Sequence, residues 1–123
     1  MKELLLVFLG GGLGSIARYL LSKMYAVWQP AFPFATLTAN FLSCVVFGLI
    51  IVSGIDRLTI SPAVKLFMLT GFCGGFSTYS SFTYETVESF KNGNNTLAFS
   101  NILFNFFLSV TGLYLGSLIA KIL

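Results

Sequence analysis

Four apolar segments, each near the ~20 residues that a helix needs to cross a bilayer, take up most of this 123-residue chain. They run Leu4–Val27, Ala35–Ile55, Pro62–Tyr84 and Leu97–Ala120, joined by short polar connections. Hydrocarbon offers no water to backbone groups, so such segments must close their own hydrogen bonds as helices. The expectation is a single domain over residues 1–123, an all-α integral membrane protein with four transmembrane helices. A hydrophobic content of 56% and a charged content of 9% do not describe a soluble protein of this size.

The leading Met1-Lys2-Glu3 has no net side-chain charge, and Arg18 and Lys23 follow the first apolar run. Both features are wrong for a cleaved signal peptide, so the first segment is expected to stay. Cys44 and Cys73 both fall inside spans and read as small packed hydrophobes. With no histidine there is no metal-ligand spacing, and the thiols define no disulfide framework. The +3 charge is small and scattered, which argues against nucleic acid. No catalytic triad can be assembled, so an enzyme is not expected.

The third segment is unlike the others. Its stretch Thr70-Gly-Phe-Cys-Gly-Gly-Phe-Ser-Thr-Tyr-Ser-Ser-Phe82 combines glycines with a run of hydroxyls. Glycine disfavours the helix and admits unusual backbone angles, so a break is expected at Gly74-Gly75. Broken backbone inside a membrane survives where protein or a polar cavity receives it. Gly71-x-x-x-Gly75 reads equally well as a close helix-packing motif.

An even number of spans puts both termini on one side. That side would carry Lys2, Arg57, Lys65 and Lys121, against Arg18, Lys23 and Lys91 on the other, with acids divided as Glu3 and Asp56 against Glu85 and Glu88. Such balance gives the positive-inside rule almost nothing to act on. Four short helices also leave little room to enclose a hydrated path. Together these predict an antiparallel, dual-topology dimer with any path at its interface.

Along the first span Gly10, Gly14, Ala17 and Arg18 share one helical face, a groove for a neighbouring backbone. Arg18 either snorkels or serves a structural or vestibule role. Trp28-Gln-Pro-Ala-Phe-Pro33 is a turn at the membrane interface. Thr36, Asn40, Ser43 and Phe47 line one side of the second span, with Asn40 either bonding helices together or meeting a passing anion. Ile55–Pro62 is a polar loop in which Ser61 can cap a helix beginning at Pro62. Phe76, Tyr79 and Phe82 recur every three residues, with Ser77, Ser81 and Tyr84 opposite, while Glu85 and Glu88 are expected to be solvated. Lys91–Thr96 reads as a turn. In the fourth span Asn101, Asn105, Ser109, Gly112 and Gly116 form one narrow polar stripe.

All four acids lie near segment ends, so no ionisable group at depth supports proton coupling. Amide and hydroxyl donors, aromatic edges and a helix N-terminus after the break all suit a small anion. Carbonyls freed at the same break suit a small cation. Passive conduction over several sites is the simpler mechanism.

Gly71-Phe-Cys-Gly-Gly-Phe-Ser-Thr-Tyr-Ser-Ser-Phe82 resembles the signature of the Fluc (CrcB-type) fluoride channels, and Gly11–Tyr19 and Thr36-Leu-Thr-Ala-Asn40 resemble that family's first- and second-span motifs. The resemblance covers nearly the whole chain. It implies a multi-pass protein of the bacterial cytoplasmic membrane, a dual-topology dimer whose two antiparallel pores export fluoride passively. It also implies a structural sodium ion at the dimer centre, held by backbone carbonyls of Gly74 and Ser77 from each subunit. The family's stacked pore aromatics match Tyr79 and Phe82, its pore asparagine Asn40, and its hydroxyl track Ser80 and Ser81 with Ser109. Arg18 matches an arginine near the end of the first span. Tyr79 departs from the usual phenylalanine, Ser81 from threonine and Ser43 from glycine. Some members pair with a paralogous subunit carrying a degraded pore, so this chain could be such a non-conducting half. Other readings are a dual-topology exporter resembling the small multidrug resistance class and a membrane assembly subunit. Membrane lipid is the surrounding partner in every case.

Overall fold

The computed structural model describes residues 1–56 and 60–122. Helix α1 is Lys2–Ala26 and α2 is Phe34–Asp56. Helix α3 covers residues 62–76 and changes pitch along its length: Pro62–Lys65 is α-helical, Leu66–Cys73 is π-helical and Gly74–Phe76 is α-helical again. Helices α4, Tyr79–Lys91, and α5, Asn95–Ile122, complete the chain. Among the described residues every regular element is helical, as expected. Of these helices α1, the Phe34–Val52 part of α2, and α5 are long and apolar enough to cross a membrane.

Local signals account for the helix ends. Ser61 accepts from the Val64 N–H at 3.3 Å with Pro62 at the first helical position, as the sequence predicts. Helix α2 runs through Asp56, so the polar loop is shorter than Ile55–Pro62, and Arg57, Leu58 and Thr59 lie outside the described residues. The turn before α5 also shortens to Asn92–Asn94. Gly93 supplies a φ of 74° there, and the Asn94 side chain accepts from the Leu97 N–H. At the α1–α2 turn Tyr25, Trp28, Phe32 and Phe34 form an aromatic cluster that reaches Phe104 of α5. Such a girdle suits the membrane–water boundary.

Two helix pairs form the body: α1 against α3, and α2 against α5. Lipid tails are as apolar as leucine, so close packing replaces the hydrophobic drive between helices. Both pairs are accordingly built on glycine. A Cβ on Gly14 would lie 2.8 Å from the Phe76 nitrogen, and one on Gly71 would lie 2.9 Å from the Gly10 Cα. Across the second pair, a Cβ on Gly112 would lie 2.9 Å from the Phe41 carbonyl, and one on Gly116 the same distance from the Leu49 nitrogen. The glycine face of the first span and the Gly71-x-x-x-Gly75 motif are thus packing surfaces. The outward side chains are large and apolar, including Phe8, Leu13, Leu20, Phe99, Leu103 and Phe107.

The third segment is interrupted, but not where glycine propensity places the break. Gly74 is helical, with φ −64° and ψ −35°, and α3 continues through Phe76. The chain turns extended at Ser77 (ψ 158°) and Thr78 (φ −152°, ψ 114°) before α4 starts. Gly75 is bare for a different reason, because the α1 backbone at Gly11 occupies the space that its Cβ would need, whereas a Cβ on Gly74 would meet no α1 atom.

This packing makes Gly75→Ala destabilising by about 1–3 kcal/mol, the usual cost of overpacking a tight contact. Gly12, whose added Cβ would meet nothing within 4 Å, should tolerate alanine. Denaturant titration of the two variants in mixed micelles measures the difference.

Candidate functional site

Interrupting a helix leaves peptide groups without their helical partners, and in an apolar setting each must find another. Asn40 of α2 meets this need at the break. Its Oδ1 accepts from the Thr78 N–H at 2.8 Å, and its Nδ2 donates to the Thr78 carbonyl at 3.3 Å. The Thr78 N–H would otherwise bond the Gly74 carbonyl four residues back, so the Asn40 contact frees that carbonyl. Thr78 then starts α4 as its N-cap, with Oγ1 accepting from the Ser81 N–H at 3.1 Å. One turn earlier the Cys73 carbonyl is crowded with donors: the Ser77 N–H at 2.9 Å, Ser77 Oγ at 2.8 Å and Ser43 Oγ at 3.1 Å.

The polar side of α2 therefore faces the third segment along its length, through Thr36, Asn40 and Ser43. The stripe on α5 closes the network from the other side. Asn40 Nδ2 donates to Asn105 Oδ1 at 2.9 Å, Asn105 Nδ2 donates to Asn101 Oδ1 at 2.7 Å, and Asn101 Nδ2 donates to Thr86 Oγ1 at 2.9 Å. Asn101 is fully buried. Both amide hydrogens of Asn40 are thus engaged within the chain, which supports its reading as a bond between helices.

Among the described residues three cavities border this network. The largest, about 560 Å³, is an apolar-walled groove between α4 and α5 with Asn40, Asn105 and Ser109 among its polar lining. Tyr79 and Phe82 stand on its wall with ring centroids 5.5 Å apart and planes at 54°. Tyr79 is 79% exposed. A second, more polar cavity of about 290 Å³ lies between α1, α2 and α4, bordered by Ser15, Arg18, Thr36, Thr78, Ser81 and Glu85. A third, about 240 Å³, is lined by Ser43, Cys44, Cys73, Gly74 and Ser77.

The residues singled out from the sequence are therefore divided. Asn40, Tyr79, Phe82 and Ser109 share the large groove, Ser81 and Arg18 share the polar cavity, and Gly74 and Ser77 share the third. Ser80 lines none of these. It is exposed beside Thr78, with its Oγ 3.3 Å from Thr78 Oγ1. Phe76 does not continue the Tyr79–Phe82 face. It lies before the break, buried and stacked on Phe72.

Glu85 is a correction. Instead of being solvated it is half-buried, accepting from Thr36 Oγ1 at 2.5 Å, while its Oε2 is buried with no hydrogen-bond partner. Its position near a segment end gave the wrong expectation, because the helix turns that side chain toward α2. Glu88 pairs with Lys91 at 3.2 Å at the surface. Thr78 and Thr86 went unrecognised. The capping spacing Thr78-x-x-Ser81 was a usable signal for the first, whereas a mid-helix threonine gives none for the second.

A family model described as "CrcB-like protein, Camphor Resistance (CrcB)" matches residues 5–117. Among curated relatives, the "Fluoride-specific ion channel FluC" of Gloeothece citriformis (strain PCC 7424) is 41% identical over 122 residues, covering 98% of each chain. The protein of the same name from Clostridium perfringens (strain 13 / Type A) is 42% identical over 127 residues, covering 100% of this chain and 99% of its own. That from Pyrococcus abyssi (strain GE5 / Orsay) is 36% identical, covering 98% of each.

The two ends of the clamp should differ in cost. Thr78→Ala loses a helix cap, worth about 1 kcal/mol. Asn40→Ala strands the buried Thr78 N–H and should cost more, about 2–3 kcal/mol. Unfolding titrations of both variants give the comparison.

Proposed function

This chain belongs to the CrcB-like family, and from that membership we propose that it is a fluoride-specific ion channel, a multi-pass protein of the cell membrane and not an enzyme. Export is passive and the membrane is the bacterial cytoplasmic one. Residues 1–123 form one four-span domain in which α3 and α4 together make the third crossing. At 1.5 Å per α-helical residue and less through the π-helical run, these two helices give roughly 40 Å of rise, ample for a core of about 30 Å.

The observation that carries this reading is the groove beside the clamped break. Its floor holds the Asn40 and Asn105 carboxamides and the Ser109 hydroxyl, and its wall holds Tyr79 and Phe82. The Ser109 hydroxyl and the aromatic edges suit a small anion, and the amides hold the backbone beside them. A water-excluding path also strengthens each such contact, and dividing them along the route lets the ion leave. Conduction requires a second wall, which a second copy in the opposite orientation supplies. The near-equal division of charged residues between the two sides favours such dual insertion. A paralogous subunit would be the heterodimeric alternative. Ser80 and Ser81 extend the hydroxyl track toward the cavity that Arg18 borders, which acts as the vestibule.

The cation of this reading is sodium. The Gly74 carbonyl, deprived of its helical donor, and the Ser77 carbonyl at the extended turn offer hard oxygen ligands beside the third cavity, and two copies would supply four. The residues fit such an ion, whose charge would offset carbonyl dipoles gathered at the dimer centre.

Fluoride efflux from liposomes containing the purified chain, followed by electrode beside a chloride control, tests the function. Selective fluoride release is expected. Phe82→Ile should abolish it, whereas Tyr79→Phe should preserve or raise the rate. Normal flux through the Phe82 variant would remove these rings from the path.

A further inference from the structure

We propose that Thr86 and Asn101 are positioning residues that hold the Asn40 carboxamide in the sense that clamps the Thr78 peptide beside the groove, an inference that rests on the channel reading above. The two ends of a carboxamide have nearly the same shape and opposite hydrogen-bonding character. Neighbours must therefore impose the orientation.

Here the imposition can be followed bond by bond. The Phe82 carbonyl can only accept, so the Thr86 hydroxyl proton is committed to it at 2.8 Å. The free lone pairs of Thr86 Oγ1 then accept from Asn101 Nδ2 at 2.9 Å. Asn101 Oδ1 is thereby turned toward Asn105, which donates to it at 2.7 Å and to the Asn101 carbonyl at 3.1 Å. Asn105 is left presenting Oδ1 to Asn40 Nδ2 at 2.9 Å. Asn40 in turn points Oδ1 at the Thr78 N–H. That N–H can only donate, so the far end demands the same sense. Backbone groups of Phe82, Asn101 and Thr78 thus pin three carboxamides in succession.

Reversing any one amide would set oxygen against oxygen or N–H against N–H. Asn40, Asn105 and Thr86 all border the groove, so the sense of the relay decides whether the Asn40 clamp on Thr78 forms beside it. Asn101 is absent from that lining and wholly buried. Its influence passes through Asn105.

The test pairs Thr86→Val, which keeps the shape and deletes the hydroxyl, with Thr86→Ser, which restores it. In the liposome assay the valine variant is expected to lower fluoride efflux about tenfold, the size of one lost orienting hydrogen bond. The serine variant should stay within about twofold of the parent on the same scale. If the valine chain does not assemble, Thr86→Cys, a weak donor of similar size, should fall between the two. Amide hydrogen exchange in micelles gives a readout independent of conduction. The Thr78 N–H should exchange faster in the valine variant, while the Ser77 N–H, bonded to the Cys73 carbonyl at 2.9 Å, should keep its rate. Unchanged Thr78 exchange, equal acceleration at Ser77, or failure of serine to restore flux would each overturn the relay. A parent chain that passes no fluoride would instead overturn the channel reading, and the exchange comparison would still decide the positioning role.

Discussion

The paired hydrogen bonds between Asn40 and Thr78 are the constraint on which the rest of the architecture depends. A bare peptide group in an apolar interior costs several kcal/mol, so an extended residue between two helices needs a partner that gives and accepts together. A carboxamide has that character. Asn40 reproduces for Thr78 the exchange that a neighbouring strand would make, with one N–H received and one returned. To do so α2 must stay within hydrogen-bond reach of the third segment. That requirement in turn explains the glycines of α5. Gly112 and Gly116 let α5 lie close on α2 at Phe41 and Val45, which brings Asn105 to the far side of the same amide.

The structure can be seen as two glycine-packed pairs, α1 with α3 and α2 with α5, joined across a polar seam. Within each pair, backbone approaches backbone and dispersion contacts accumulate without any hydrophobic drive. Across the seam, Ser43 holds the Cys73 carbonyl, Asn40 holds Thr78 and Thr36 holds Glu85. These donors sit at successive turns of α2. One face of a single helix thus receives the end of α3, the break and the body of α4. The π-helical run Leu66–Cys73 ends at the first of these contacts. Widened turns of this kind recur near functional sites.

How far the sequence foretold this depends on whether a feature is periodic or relational. The faces Thr36–Asn40–Ser43 on α2 and Asn101–Asn105–Ser109 on α5 could be read directly, because helical spacing displays them whatever they touch. An interruption in the third segment was legible from its glycines and hydroxyls, but its address was not. Propensity points to Gly74-Gly75, yet both are helical, and Gly75 is bare so that α1 can approach. The break falls instead at Ser77-Thr78, where a side chain 38 residues earlier captures the backbone. Glu85 failed for the same reason. Its place near a segment end implied water, and only the packing of α4 on α2 turns it inward. Thr86 was invisible because its role exists only through Asn101 on another helix.

The groove is open on the side that the proposed second copy would cover. Asn105 and Asn101 are buried, but the groove that Asn40 and Ser109 border opens outward beside Tyr79, which is 79% exposed, and Phe106, which is 63% exposed. Lipid covering that opening would satisfy the rings and leave the Ser109 hydroxyl against hydrocarbon. Water would do the reverse. A protein surface bearing both characters meets both demands, and a second copy of this chain carries the same mixture of rings and hydroxyls. On that view the Tyr79 hydroxyl is less anomalous than its departure from phenylalanine suggests. A phenol at the helix N-terminus can turn its oxygen to the polar seam of a neighbour and still present a ring edge to the path. The added oxygen would then serve the interface and leave the aromatic contribution to conduction in place.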